Sequence, residues 1–446
     1  MLARYRQIPL SNSLPLHSNE IDVLLSAQDF RLRLLELINK AKHRICLTAL
    51  YLQDDEAGRE ILDALVAAKQ KNPDLVIRIF VDFHRAQRGL IGEKKSLGNR
   101  QLYLDLNDKY PDAIEIYGVP VKQREFLGVL HLKGFVIDDT VLYSGASLNN
   151  VYLGVGDKYR CDRYHQITQP GLANSLVDYL QENFVKSGLA PRISVPGTPD
   201  KKQQKFLIKQ LKSVLKRARY QVESPNTESA PMQIQPIVGF GKRGNGLNQT
   251  ARKVVNSATE NLVIFTPYFN FPKPLASDLR RALKRGVEVT IVVGDKKAND
   301  FYIADEDKFS TIGIVPYLYE VLLSRFVKRH QQYIDKGQLN LRLWYHGDNS
   351  YHLKGIVADD KYHLLTGSNM NPRAWSLDIE NGLFIVDESQ QMLEKWQQEL
   401  AVILQHTTRV SNFNEIETIK DYPEKVRELL RRIQLTSFDR LLKRFL

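Results

Sequence analysis

Cysteine is the scarcest residue type: only Cys46 and Cys161 occur in 446 residues. Two thiols cannot build a disulfide framework or a structural zinc site, and such usage fits a reducing compartment. Long apolar runs are missing too. No stretch approaches the roughly 18 apolar residues that a membrane-spanning helix needs, and the opening MLARYRQIPLSNS has no apolar core of signal-peptide length. An exported or bilayer-spanning protein is therefore not expected. Acidic residues are outnumbered: 51 Asp and Glu stand against 63 Lys and Arg, a formal net charge of +12. The surplus points to an anionic partner, whether nucleic acid, nucleotide or an acidic lipid surface, without choosing among them.

The chain is long enough for two cores, and its 43% hydrophobic and 26% charged residues are an ordinary globular balance. Hydrophobic spacing reveals a repeated order. In the first half, Phe30, Leu34, Leu35, Leu37, Ile38 and Ala41 follow a helical period. A strand is expected over 44–52, a helix over 58–70, and strands over 76–83 and 114–121. In the second half, helices are expected over 248–258 and 276–285 and strands over 261–269, 286–295 and 341–348. Helices alternating with buried strands predict an α/β fold of two related halves. Each half is expected to be a mixed, mostly parallel sheet flanked by helices, and a pseudo-twofold axis to relate the two. The expected boundaries are 1–26 for a loosely structured arm, 27–190 and 237–410 for the halves, 191–236 for a connection and 411–446 for a tail.

One pattern closes both halves: HLKGFVID from His131 and HLKGIVAD from His352. In an extended segment residues i and i+2 share a face, so His131 with Lys133, and His352 with Lys354, can address one phosphoryl group. A neutral imidazole can attack phosphorus, a lysine ammonium can balance charge on its oxygens, and a second imidazolium can protonate the leaving oxygen. One such site needs both copies. Asp138 and Asp359, seven residues on, fall on the opposite face near a strand end, where a structural role is expected. Behind the motifs come Gly145, Ser147 and Asn149 in one half and Gly367, Ser368, Asn369 and Asn371 in the other. Asn149, Ser368 and Asn371 are candidate donors to phosphoryl oxygens. The second copy has one more residue between its Asp and Gly, which unsettles the alignment of Ser368. Tyr51 and Tyr268, at corresponding strand ends, and the basic His84, Arg85, Arg88 and Arg373 are candidate substrate contacts. Core aromatics and solvated surface charges are their plain alternatives.

The paired motifs resemble the HKD motifs of the phospholipase D superfamily over nearly the whole chain. The flanking HRAQRG, DKYRCDRYH, TPYFN, GDKKANDFY and TGSNMNPRAW resemble more closely the bacterial type I phosphatidylserine synthases. The resemblance implies two fused phospholipase D-like halves sharing one active site, with no cofactor and no essential metal. It implies ping-pong transfer of the phosphatidyl group of CDP-diacylglycerol to L-serine through a phosphatidyl-histidine, with His131 as nucleophile and His352 as acid and base. By family position, Glu380 pairs with His352 and Asp162 with His131 as the carboxylates that orient the rings.

Two basic amphipathic stretches suit an anionic membrane surface. In 201–220, Phe206, Ile208, Leu211, Val214 and Leu215 keep helical spacing among lysines and arginines. In 423–446, Val426, Leu429, Leu430, Ile433, Phe438, Leu441, Leu442 and Phe445 oppose Arg427, Arg431, Arg432, Arg440, Lys443 and Arg444. The expectation is a cytoplasmic protein reversibly attached to the inner face of the cytoplasmic membrane, against the alternative that both helices dock on their own core. A cardiolipin synthase or phospholipase D would differ in acceptor. A nuclease would share the motifs, but the amphipathic terminus argues against one, and no obligate nucleic acid is expected.

Overall fold

The computed structural model describes residues 10, 12–87, 98–123, 127–223, 230–304 and 309–435. Three of the expected helices begin where a polar side chain accepts from the first turn. Ser26 caps Ala27–Lys40, Asp55 caps Glu56–Lys71 and Asn245 caps Gly246–Ser257. Phe30, Leu34 and Ile38 form the buried face of the first of these. Helices 27–40 and 56–71 cover one sheet and helices 246–257 and 273–284 the other, each with its own apolar core.

The first sheet has seven strands, in the order Ile21–Leu24, Tyr164–Thr168, Thr140–Ser144, Gly134–Ile137, Arg44–Thr48, Val76–Asp82, Glu115–Val119. The main path of the second runs Leu14–Leu16, Met232–Phe240, Ile379–Val386, Tyr362–Thr366, Gly355–Ala358, Asn261–Thr266, Glu288–Gly294, Leu339–Trp344, Thr407–Val410. Seven strands correspond in the same spatial order, from 21–24 with 232–240 to 115–119 with 339–344, so the repeated sequence pattern is a repeated topology. Another apolar cluster takes Leu130, Val141 and Tyr143 from one half and Leu365, Leu383 and Ile385 from the other, fusing the halves through a common core.

Three expectations need correction. The sheets are mixed, but not mostly parallel: apart from Leu130–His131, which joins the second sheet in parallel, parallel pairing in each is confined to three adjacent strands, 44–48 with 76–82 and 115–119, and 261–266 with 288–294 and 339–344. The hairpins that follow each motif return the chain antiparallel on the other side. Over its described residues 12–26 the N-terminal segment is not a loose arm. Leu14–Leu16 pairs with Met232–Ile234 in one sheet and Ile21–Leu24 with Tyr164–Ile167 in the other, burying Leu14, Leu16 and Ile21. Strands of three and four residues are too short for their alternation to stand out among turn residues. A helix that the pattern read from the sequence did not include also lies before the last parallel strand of each half, Arg100–Lys109 in one and the longer Val315–Asp335 in the other.

Asp138 and Asp359 tie each hairpin to the start of the central strand beside it. Asp138 accepts from the N–H groups of Lys42, His43 and Arg44 at 2.8, 2.8 and 3.0 Å. Asp359 accepts from those of Thr259, Glu260 and Asn261 at 3.0, 2.9 and 3.1 Å. Both adopt positive φ, 49° and 53°, which short polar side chains tolerate. Partial burial alone would raise the Asp138 pKa, but the three donors outweigh it and hold the carboxyl below its ordinary 3.8. Its contribution to stability is therefore full above pH 3.8 and lost as pH falls through the lower folded value. Asp138→Ala should cost about 1–2 kcal/mol, read as a lowered melting temperature at pH 7, with kcat within about twofold of wild type. A variant equally stable at pH 7 would contradict this role.

Candidate active site

Each motif histidine leaves its own half. Leu130–His131 pairs in parallel with Ile379 and Glu380 of the second sheet, and Ser350–Tyr351 pairs in parallel with Arg160–Cys161 of the first half. The His352 N–H then donates to the Cys161 carbonyl at 2.8 Å. This reciprocal crossing is what a pseudo-twofold relation produces, and it sets which carboxylate meets which ring. His131 Nδ1 lies 2.8 Å from Glu380 Oε2, and His352 Nδ1 lies 3.0 Å from Asp162 Oδ2. The within-half pairing implied by family position is therefore corrected: each histidine is oriented by the carboxylate of the opposite half. With Nδ1 engaged, Nε2 of each ring is the nitrogen placed for reaction.

Lys354 Nζ lies 2.9 Å from His352 Nε2 and 3.5 Å from Asp162 Oδ2. The chain turns from each crossing strand into its hairpin at the motif glycines, Gly134 and Gly355, with φ of 123° and 148° that a side chain would strain. A Cβ at Gly367 would stand 2.7 Å from the Lys133 Cγ, so glycine there lets the lysine stem pass. Asn381, next to Glu380, was not singled out from the sequence. Its Oδ1 accepts from the Lys133 N–H at 2.8 Å, its Nδ2 donates to the Lys133 carbonyl at 2.8 Å and to Tyr220 at 3.0 Å, and Thr366 donates to its carbonyl at 2.8 Å. A fully bonded amide of this kind fixes the lysine backbone. The only signal in the sequence was its adjacency to a candidate acid.

Electrostatics follow from burial. His131, Lys133, His352 and Lys354 are buried. Desolvation, reinforced by the two lysines, pushes His131 well below its ordinary value. Desolvation, reinforced by Lys354, takes His352 down to about 4. Burial also lowers Lys133 to about 8 and Lys354 to about 7. The two carboxylates diverge. Burial would raise both, and for Glu380 the neighbouring Asp378 raises it further, well above the ordinary value. For Asp162, Lys354 and His352 outweigh burial and hold the carboxyl low. Four basic side chains thus surround one buried centre, and an entering phosphoryl group would favour the charged form of each. Lys133 Nζ has no hydrogen-bond partner among the described residues.

The other candidates divide. Asn149 accepts from the Tyr152 N–H at 3.2 Å and donates to the Tyr51 hydroxyl at 3.3 Å. Asn371 accepts from the Ala374 N–H at 2.9 Å. Ser368 accepts from the Met370 N–H at 3.4 Å. Hairpin register aligns Ser368 with Ala146, because the extra residue sits in the turn: Ile137 pairs with Thr140 in one half, but Ala358 with Tyr362 in the other. Arg85 lies over the Tyr51 ring, 4.1 Å from its centroid. His84 sits beside Arg85 on the short helix Phe83–Ala86. Tyr268 donates to Asp300 Oδ2 at 3.2 Å, and Arg373 Nε lies 3.5 Å from Asp378. Arg88 lies outside the described residues. Tyr152, unremarked in the sequence, places its hydroxyl 3.2 Å from His352 Nδ1.

A family model described as cardiolipin synthase, PLD-like domain, matches residues 34–182 and 252–404, one match per half. The CDP-diacylglycerol–serine O-phosphatidyltransferase of Haemophilus influenzae is 44% identical over 98% of this chain and 97% of its own length. The chain belongs to the phosphatidylserine synthase family. The enzyme of the same name from Escherichia coli is 43% identical over 96% of this chain and 95% of its own. The crystal structure of the Haemophilus influenzae phosphatidylserine synthase superposes on this chain with a TM-score of 0.93, covering 97% of each. A family built on two PLD-like repeats accounts for the single centre drawn equally from both.

Proposed function

We propose that the chain transfers the phosphatidyl group of CDP-diacylglycerol to the hydroxyl of L-serine, giving phosphatidylserine and CMP, at the centre formed by His131, Lys133, His352 and Lys354. The observation that carries this reading is the reciprocal strand pairing that brings both imidazoles and both lysines to one buried point. His131 Nε2 attacks the phosphorus bearing the diacylglycerol, the bond to the CMP oxygen breaks, and His352 supplies the proton. His352 then takes the serine hydroxyl proton as that oxygen attacks, and the phosphorus–nitrogen bond to His131 breaks. The electrostatics support this division. Burial lowers both imidazoles, but ionised Asp162 opposes it at His352, which suits that ring to proton transfer, whereas a raised Glu380 gives His131 less such support and leaves it uncharged and nucleophilic. Lys133 and Lys354 hold the phosphoryl oxygens. Asn149, Ser368 and Asn371 assist them, and Tyr51, His84, Arg85, Tyr268 and Arg373 contact the rest of the substrates. The test is purified full-length protein with CDP-diacylglycerol, with and without L-serine. CMP release should rise with serine and the lipid product should be phosphatidylserine. Release indifferent to serine, ending in phosphatidic acid alone, would contradict the reading.

Membrane attachment is proposed through the helix Lys201–Leu215. Leu211 and Leu215 dock it on the protein, while Phe206 is 59% exposed among Lys201, Lys202, Lys205 and Lys209. An exposed aromatic ringed by lysines fits an anionic bilayer of the inner cytoplasmic face. The C-terminal helix differs from its expectation over Glu424–Leu435, where Val426, Leu430 and Ile433 pack against Ile314, Tyr317 and Tyr422 and are spent on the protein's own core. Phe438 to Phe445, the rest of that apolar face, lie outside the described residues. Phe206→Asp should lower co-sedimentation with phosphatidylglycerol vesicles several-fold, and unchanged binding would contradict this site.

A further inference from the structure

Two charged residues remain unused by the phosphoryl chemistry, Arg160 in DKYRCDRYH and Asp300 in GDKKANDFY. They come from opposite halves and meet beside His352. Arg160 Nη2 lies 2.7 Å from Asp300 Oδ1, and Arg160 Nε donates to the Ser350 hydroxyl at 3.1 Å. Asp300 Oδ2 accepts from the Tyr268 hydroxyl at 3.2 Å. The Arg160 guanidinium lies over the Tyr152 ring, 4.5 Å from its centroid, and the Tyr152 hydroxyl reaches His352. Tyr152 therefore links the ion pair to the ring that handles the acceptor's proton. The pair is neither sealed in the core nor loose on the surface: the side chains are 16% and 18% exposed.

We propose that Arg160 and Asp300 are the acceptor subsite, receiving the α-carboxylate and the α-ammonium of serine while its hydroxyl faces His352. This rests on the transferase reading above. A zwitterion differs from the other small acceptors a phosphatidyltransferase could take: water and glycerol carry no charge, an amino alcohol only a cation, a hydroxy acid only an anion. A neighbouring cation and anion match only the zwitterion in both charges. The guanidinium has five N–H donors, and the bonds to Asp300 and Ser350 use two. Serine can thus exchange one internal ion pair for two, so the net charge of the subsite does not change. An acceptor lacking either group leaves one buried charge without its match, which is how a polar site rejects analogues.

Steady-state kinetics on the full-length enzyme test the assignment. Asp300→Asn should raise KM for serine by about tenfold or more, with KM for CDP-diacylglycerol within about twofold. Arg160→Lys, which keeps charge but loses the planar fork, should also raise KM for serine. Wild-type protein provides a measurement independent of variant folding: ethanolamine and 3-hydroxypropionate should each compete with serine at least about tenfold more weakly than serine itself binds. An unchanged KM for serine in Asp300→Asn, or either analogue matching serine, overturns the subsite and leaves the transferase intact. A wild-type enzyme whose CMP release ignores serine overturns both.

Discussion

His131→Ala is expected to lower serine-dependent CMP release by about 10⁴-fold or more, because it removes the nucleophile and leaves no covalent route. His352→Ala should lose less, about 10²–10⁴-fold, and should lose it differently. Its His131 can still attack phosphorus, so a slow burst of covalent labelling should survive in His352→Ala and be absent from His131→Ala. The measurement is single-turnover quench with CDP-diacylglycerol labelled in the lipid phosphate. Covalent label in His131→Ala but not in His352→Ala would reverse the roles. Each Nδ1 is held by one carboxylate, but Tyr152 and Lys354 also reach His352, so the two rings differ in contacts as well as in charge.

Charge also sets the second large effect. Asp162→Asn removes the one carboxylate among the described residues that touches both His352 and Lys354, where it favours the charged form of each against burial. Loss of an orienting carboxylate beside a working imidazole costs about 10²–10⁴-fold in kcat. Glu380→Gln should cost less, since burial and Asp378 push Glu380 toward the neutral form that glutamine mimics. The comparison is one of kcat at pH 7 for the two variants, with KM for serine as a control. A Glu380→Gln loss equal to or larger than that of Asp162→Asn would mean that the charge is divided the other way between the two pairs.

Much of this centre was legible in the chain because it is written locally. The i, i+2 placement of His and Lys, the duplicated strand order and the capped helices all follow from spacing within a few residues. The partner of each histidine was not. Glu380 and His131 are 249 positions apart, and Asp162 and His352 are 190 apart. Their meeting depends on short strands that cross between halves, Leu130–His131 and Ser350–Tyr351, each too brief to carry a pattern. The same brevity hid Leu14–Leu16 and Ile21–Leu24. The Glu424–Leu435 helix shows the opposite failure: its amphipathic pattern was plain, but a pattern says that one face is covered and not by what. Arg160 and Asp300 stood within noted segments, yet nothing in either segment foretold the other, since their contact joins the two halves.

The central claim is that one phosphoryl centre, shared between two halves, works through a covalent histidine. Its most direct test is rapid acid-free quench of the wild-type enzyme with CDP-diacylglycerol labelled in the lipid phosphate and no serine, followed by peptide mapping. The expected result is one acid-labile, base-stable label on His131, discharged into phosphatidylserine when serine is added. Label on another residue, or none while phosphatidylserine still forms on adding serine, would contradict it.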